Sequence, residues 1–137
     1  MSYLAESAPM TYDIKLDVTL QSAAMSSPHV VSRSNSKYLY WTLKQQLVHH
    51  TVSGCNMQPG DLLGTGTISG PQAHEYGSML ELSWRGSKEV PLGEGAGVRK
   101  FLQDGDTVNM LGYAQAENFK VGFGDCAGKI LPAVKYP

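Results

Sequence analysis

Polar and apolar residues alternate strictly over residues 12–20. Tyr12, Ile14, Leu16, Val18 and Leu20 fall on one side, and Asp13, Lys15, Asp17 and Thr19 on the other, which is the period of a half-buried strand. Residues 21–29 are small and polar with Pro28, so they form a connection before a short extended run over residues 29–32. Tyr40, Leu43 and Leu47, with Leu39, Leu43 and Val48, recur at helical spacing behind the candidate caps Ser34, Asn35 and Ser36. The pattern predicts one helix over residues 37–52. Gly54 stands where a helix commonly ends in a left-handed residue, and His49 and His50 suit the negative end of its dipole. Short β-like runs follow at residues 61–65, 78–84, 107–113 and 119–124, separated by turns rich in Gly, Asp and Pro. The expected class is mainly β with one α-helix.

At 137 residues one domain is the expected count. The share of charged residues, 17%, and of hydrophobic residues, 42%, describes an ordinary globular chain. Eleven basic residues against twelve acidic ones give a net charge of −1, so no general field gathers phosphate backbones or anionic lipid. Neither a nucleic-acid nor a membrane partner is expected. No apolar run reaches the roughly 18 residues of a membrane span, and residues 1–10 lack the pattern of a signal peptide, so a cytoplasmic location is expected. Cys55 and Cys126 have no C-x-x-C spacing and are expected to be free thiols.

Several segments carry a closer likeness. Pro59-Gly60-Asp61-Leu62-Leu63-Gly64-Thr65-Gly66-Thr67 joins a Pro-Gly-Asp turn to a Thr-Gly-Thr turn through a short apolar run. Ile68-Ser69-Gly70-Pro71 and Gly77-Ser78-Met79-Leu80-Glu81-Leu82-Ser83-Trp84 follow, and Cys126-Ala127-Gly128-Lys129-Ile130-Leu131-Pro132-Ala133 closes the chain. With Tyr38-Leu39-Tyr40-Trp41-Thr42 upstream, these resemble the fumarylacetoacetate hydrolase family, in the branch that acts on fumarylacetoacetate itself. Nearly the whole chain aligns, but only with the carboxy-terminal part of such an enzyme. The resemblance therefore implies a partial catalytic domain over residues 1–137, part of a mixed β-sandwich/roll, without the amino-terminal domain and the first part of the catalytic domain. A sheet cut from its partner layer would keep one apolar face uncovered.

The resemblance also implies roles. Glu81 corresponds to the carboxylate that orients a general-base histidine, and Thr67 to a substrate-binding threonine. Read locally, Glu81 lies with Met79 and Ser83 on the mixed face of a strand and fits a solvated glutamate, while Thr67 fits a residue holding its own turn. None of His29, His49, His50 or His74 matches the motif of the base. Magnesium and calcium are implied for the family, with ligands outside this chain, and no local cluster here resembles a calcium loop.

Asp61, Asp104 and Asp106 flank or follow turn glycines and are assigned to backbone bonding there. His49 and His50 are read as helix-end residues, His74 as solvated, Cys126 as packing, and Tyr38, Tyr40 and Trp41 as helix packing. The implied activity is hydrolysis of a carbon–carbon bond in a 1,3-diketo acid, with a small-molecule substrate and a homodimeric whole enzyme, the isolated chain being silent. The alternative is a non-catalytic module that binds a dicarboxylate or associates with a hydrolase subunit.

Overall fold

The computed structural model describes residues 1–93 and 95–135. The alternating segment forms β1 (Ile14–Gln21), and the run after Pro28 extends into β2 (His29–Asn35). The last two strands are β5 (Thr107–Gln115) and β6 (Lys120–Lys129), and a small hairpin, β3 (Val90–Pro91) with β4 (Val98–Arg99), precedes them. Strands β2, β1, β5 and β6 lie in that order in one antiparallel sheet. Among the described residues no helix is long and apolar enough to cross a membrane.

Register explains why this sheet has two unlike faces. Leu16, Val18 and Leu20 pair with Gly112, Met110 and Val108, and Met110 pairs with Cys126 across the next ladder. Pairing preserves the side-chain alternation, so these residues share one apolar face. The opposite face carries Lys15, Asp17 and Tyr113; the Lys15 and Lys120 ammonium groups lie 5.6 and 3.8 Å from the centre of the Tyr113 ring.

The apolar face is largely uncovered. Among the described residues, the buried hydrophobic side chains are Leu4, Leu20, Val90 and Leu92, whereas Met110, in the middle of the sheet, is 50% exposed and Phe123 is 66% exposed. Two depressions of about 340 and 490 Å³ open onto this face, the first between Leu16, Leu39, Trp41 and Phe123, the second between Val18, Met79, Met110 and Cys126. Cys55 and Cys126 are free, and among the described residues no second layer covers Cys126, which is exposed. The assignment of Cys126 to packing is therefore corrected.

The helix is shorter than its periodicity predicts. Ser36–Tyr38 form a single 3-10 turn, Leu39 is extended, and α1 spans Leu43–Thr51. The late start has a local cause: Thr42 caps the helix, its hydroxyl accepting from the Gln45 N–H (3.2 Å) while the Gln45 side chain accepts from the Thr42 N–H (2.9 Å). Tyr40 and Trp41 consequently precede the helix and pack on each other edge to face, with Tyr40 exposed. The end falls as expected, with Gly54 at φ 88 and its N–H donating to Thr51. The amino terminus docks on α1: the Gln45 side chain donates to the Leu4 carbonyl, and the Tyr3 hydroxyl meets His49 Nδ1 at 2.9 Å.

Two predicted strands are absent. Residues 61–65 have no regular structure and leave Leu62 98% exposed. The turns at Gly60 and Gly105 nevertheless share one geometry. Both glycines have positive φ, and the Asp61 and Asp106 carboxylates accept from the N–H three residues earlier, at Gln58 and Gln103. Only the second turn feeds a strand, because β1 and β6 flank the residues after it. The other absent strand is residues 78–84, where a short helix, α2 (Met79–Leu82), takes its place.

Candidate functional site

Helix α2 begins at Ser78, whose hydroxyl accepts from the Glu81 N–H at 3.3 Å, so Ser78-x-x-Glu81 acts as a helix start rather than as strand. That spacing was the signal for the helix. The alternation of Leu80, Leu82 and Trp84 masked it, and the left-handed residues Trp84 (φ 49) and Arg85 (φ 57) end the segment after one turn. Glu81 thus stands on a helix and not on the mixed face of a strand.

Glu81 is half-buried, and its carboxylate accepts hydrogen bonds from two serines. The Ser78 hydroxyl donates to Oε2 at 2.8 Å, and the Ser69 hydroxyl lies 2.9 Å from both carboxylate oxygens. Ser69 Oγ also accepts from the Gly77 N–H at 3.0 Å. Neither serine was singled out by sequence reasoning, although both lie in the segments that carry the family likeness. A carboxylate offers about four lone-pair sites, so two hydroxyl protons leave room for a further donor.

Thr67 is exposed, and its methyl group lies against Gly77. A Cβ added at Gly77 would stand 2.5 Å from the Ile68 carbonyl oxygen and 2.8 Å from that methyl group. Gly77 therefore lets the Thr67 turn lie directly against the start of α2, and Ser69, two residues after Thr67, links the Gly77 N–H to the Glu81 carboxylate. We predict that Gly77→Ala destabilises the chain by about 1–3 kcal/mol, since a backbone atom must move to admit the methyl group. An unchanged urea midpoint would show that the two segments are not pressed together.

A second clasp holds the same loop. Gly70 leaves no room for a side chain beside Glu75 and Tyr38, and the Tyr38 hydroxyl donates to Glu75 Oε1 at 2.8 Å. The Gln72 N–H and then the Tyr38 hydroxyl hold the Glu75 carboxyl below its usual range, and the bond to Glu75 pushes the Tyr38 phenol up. Tyr38 is thus a loop anchor rather than a residue of the helix.

The histidines lie apart from Glu81. His49 stacks on Tyr3, His50 Nε2 lies 3.7 Å from Cys55 Sγ, His29 abuts Gly93, and His74 is exposed in a 3-10 turn (Ala73–Glu75). Among the described residues no three His, Cys, Asp or Glu side chains group closely enough to hold a metal ion.

Asp106 is 1% exposed and does more than close its turn. Arg99 Nε and Nη2 each donate to one of its oxygens at 2.9 Å, and the Gln103 N–H donates at 2.9 Å. The pair fastens β4 to the start of β5. Sequence reasoning missed Arg99, because the hairpin that presents it has strands of two residues each.

Residues 4–130 match the sequence family described as fumarylacetoacetate (FAA) hydrolase C-terminal. The chain is 60% identical to a fumarylacetoacetase of Dictyostelium discoideum, over 98% of this chain and 32% of that protein. It is 54% identical to the fumarylacetoacetases of Bos taurus and Homo sapiens, again over 32% of each. It therefore spans about a third of the length of the curated relatives it matches. With a family match over nearly all its residues, the chain belongs to the fumarylacetoacetate hydrolase family, within that family's carboxy-terminal region.

Proposed function

We propose that this chain supplies the carboxy-terminal side of a fumarylacetoacetase site, which hydrolyses fumarylacetoacetate with water to fumarate and acetoacetate. The observation that carries the reading is the Glu81 carboxylate, held by Ser69 and Ser78 beside the turn of Thr67. A fixed carboxylate with unused lone pairs suits a group that sets the tautomer of a histidine and stabilises the imidazolium it becomes. Thr67, exposed with a hydroxyl that donates and accepts, suits a contact to the diketo acid.

The base itself is assigned to none of the four histidines, and magnesium or calcium has no ligand set among the described residues. Those functions belong to a larger polypeptide of this family, whose cytoplasmic location and homodimeric state are part of the same proposal. The uncovered apolar face of the sheet supports association with such a polypeptide.

The isolated chain is expected to show no turnover of fumarylacetoacetate, followed by loss of substrate absorbance with magnesium or calcium added. Replacing the matching carboxy-terminal segment of the Dictyostelium discoideum enzyme by this chain is expected to give an active chimaera. Turnover by the chain alone would overturn the assignment of its histidines and carboxylates to other duties. An inert chimaera would favour the non-catalytic, subunit-associating alternative.

A further inference from the structure

We propose that Ser69 is a positioning residue for catalysis, a hydroxyl whose proton is committed to the Glu81 carboxylate by the backbone of Gly77. The inference rests on the reading of Glu81 given above. A serine hydroxyl has one proton and two lone pairs, and it normally rotates to suit its neighbours. At Ser69 that freedom is removed. The Gly77 N–H can only donate, and it donates to Ser69 Oγ at 3.0 Å, so the hydroxyl must be the acceptor there. Its proton is then left for the opposite side, where both oxygens of Glu81 stand at 2.9 Å. Ser78 repeats the arrangement, accepting from the Glu81 N–H and donating to Oε2.

The two serines differ in what they connect. Ser78 belongs to the helix that carries Glu81, so its bonds hold the carboxylate relative to its own backbone. Ser69 comes from the loop of Thr67, twelve residues before Glu81 in sequence, and ties the carboxylate to the segment on the substrate side. Gly77 serves both contacts, admitting Thr67 and Ile68 against its Cα while its N–H orients Ser69. Ser69 therefore fixes the plane of the Glu81 carboxylate relative to the Thr67 turn. Placement of this kind acts on the reacting geometry more than on substrate affinity.

The test uses the chimaeric hydrolase. Ser69→Ala is expected to lower kcat by on the order of 10-fold to 100-fold with KM little changed, because the carboxylate survives but its plane is free. Ser69→Thr, which keeps the hydroxyl, should retain most of the rate. Glu81→Gln is measured beside them. Loss of activity in Glu81→Gln with full kcat in Ser69→Ala would overturn the inference while leaving the proposed function intact; full activity in Glu81→Gln, or an inert parent chimaera, would overturn both. A rise in KM at unchanged kcat would assign Ser69 to substrate binding and also overturn it, as would a loss in Ser69→Thr equal to that in Ser69→Ala. If the alanine variant fails to fold, Ser69→Cys replaces it. The thiol is a weak donor, so kcat must again fall with KM held, and an unchanged kcat would overturn the proposal.

Discussion

Asp106→Ala is expected to lower the stability of the chain by about 3–5 kcal/mol, because it leaves Arg99 as a charge without its partner in a mostly buried setting. The Arg99 side chain is only 14% exposed, and two of its N–H groups would lose their acceptor together. The Gln103 N–H loses its acceptor as well, which loosens the turn that Asp106 closes. The Asp106 carbonyl accepts from the Ile130 N–H and the Gly105 N–H donates to the Ile130 carbonyl, so this turn also pins the end of β6. Urea unfolding of the two proteins at neutral pH checks the figure, and equal midpoints would sink it. Removing both charges, as Arg99→Met with Asp106→Leu, should cost less than removing Asp106 alone, since no buried ion is then left unpaired.

The same pair sets a direction for pH. The hydrogen bonds from Arg99, and then that from the Gln103 N–H, hold the Asp106 carboxyl below its usual value of 3.8. A carboxyl whose pKa is lower folded than unfolded stabilises the fold above the unfolded value and loses that contribution as pH falls through the folded one. The stability difference between the parent chain and Asp106→Ala should therefore be full at neutral pH. It should shrink progressively at pH values under about 4. A difference that instead grew toward acid would mean the carboxyl is protonated in the fold.

The second large effect concerns chemistry. Glu81→Gln in the chimaeric hydrolase is expected to reduce kcat by on the order of 10²- to 10⁴-fold, the range associated with a lost or misoriented general base. The substitution keeps the size of the side chain but turns one acceptor into a donor. Ser69 and Ser78 both point protons at this position, so the amide meets a donor where an acceptor stood, and no negative charge remains for an imidazolium. The thermal midpoint should move little by comparison, which separates this variant from Asp106→Ala. A rate within a few-fold of the parent would remove Glu81 from the mechanism.

Much of this could be read from the residues in order. The alternation at Ile14, Leu16, Val18 and Leu20 located β1 to within two residues, the run after Gly105 located β5, and the run ending at Gly124 located only the first half of β6. The motifs around Thr67, Glu81 and Cys126 carried the family. Where the reading failed, a signal at short range was stronger than the one followed. The Thr42–Gln45 box delayed the helix, and the Ser78 cap turned an apparently alternating strand into a helical turn. At residues 61–65 the apolar run was present but, among the described residues, no neighbouring strand offers its backbone a ladder.

The sequence by itself determined the class, the family and the principal strands, and it pointed to Glu81 and Thr67 as the carboxylate and hydroxyl of the proposed site, because periodicity and motif are properties of neighbouring residues. Tertiary structure alone decided which groups meet. Ser69 reaches Glu81 across twelve residues, Arg99 reaches Asp106 across seven, and the Thr67 turn rests on Gly77, because the loops fold back on one another. It also decided that, among the described residues, one face of the sheet stays partly open. Alternation marks a side that seeks cover, but whether anything covers it depends on a second layer, which a strand does not encode in its own residues.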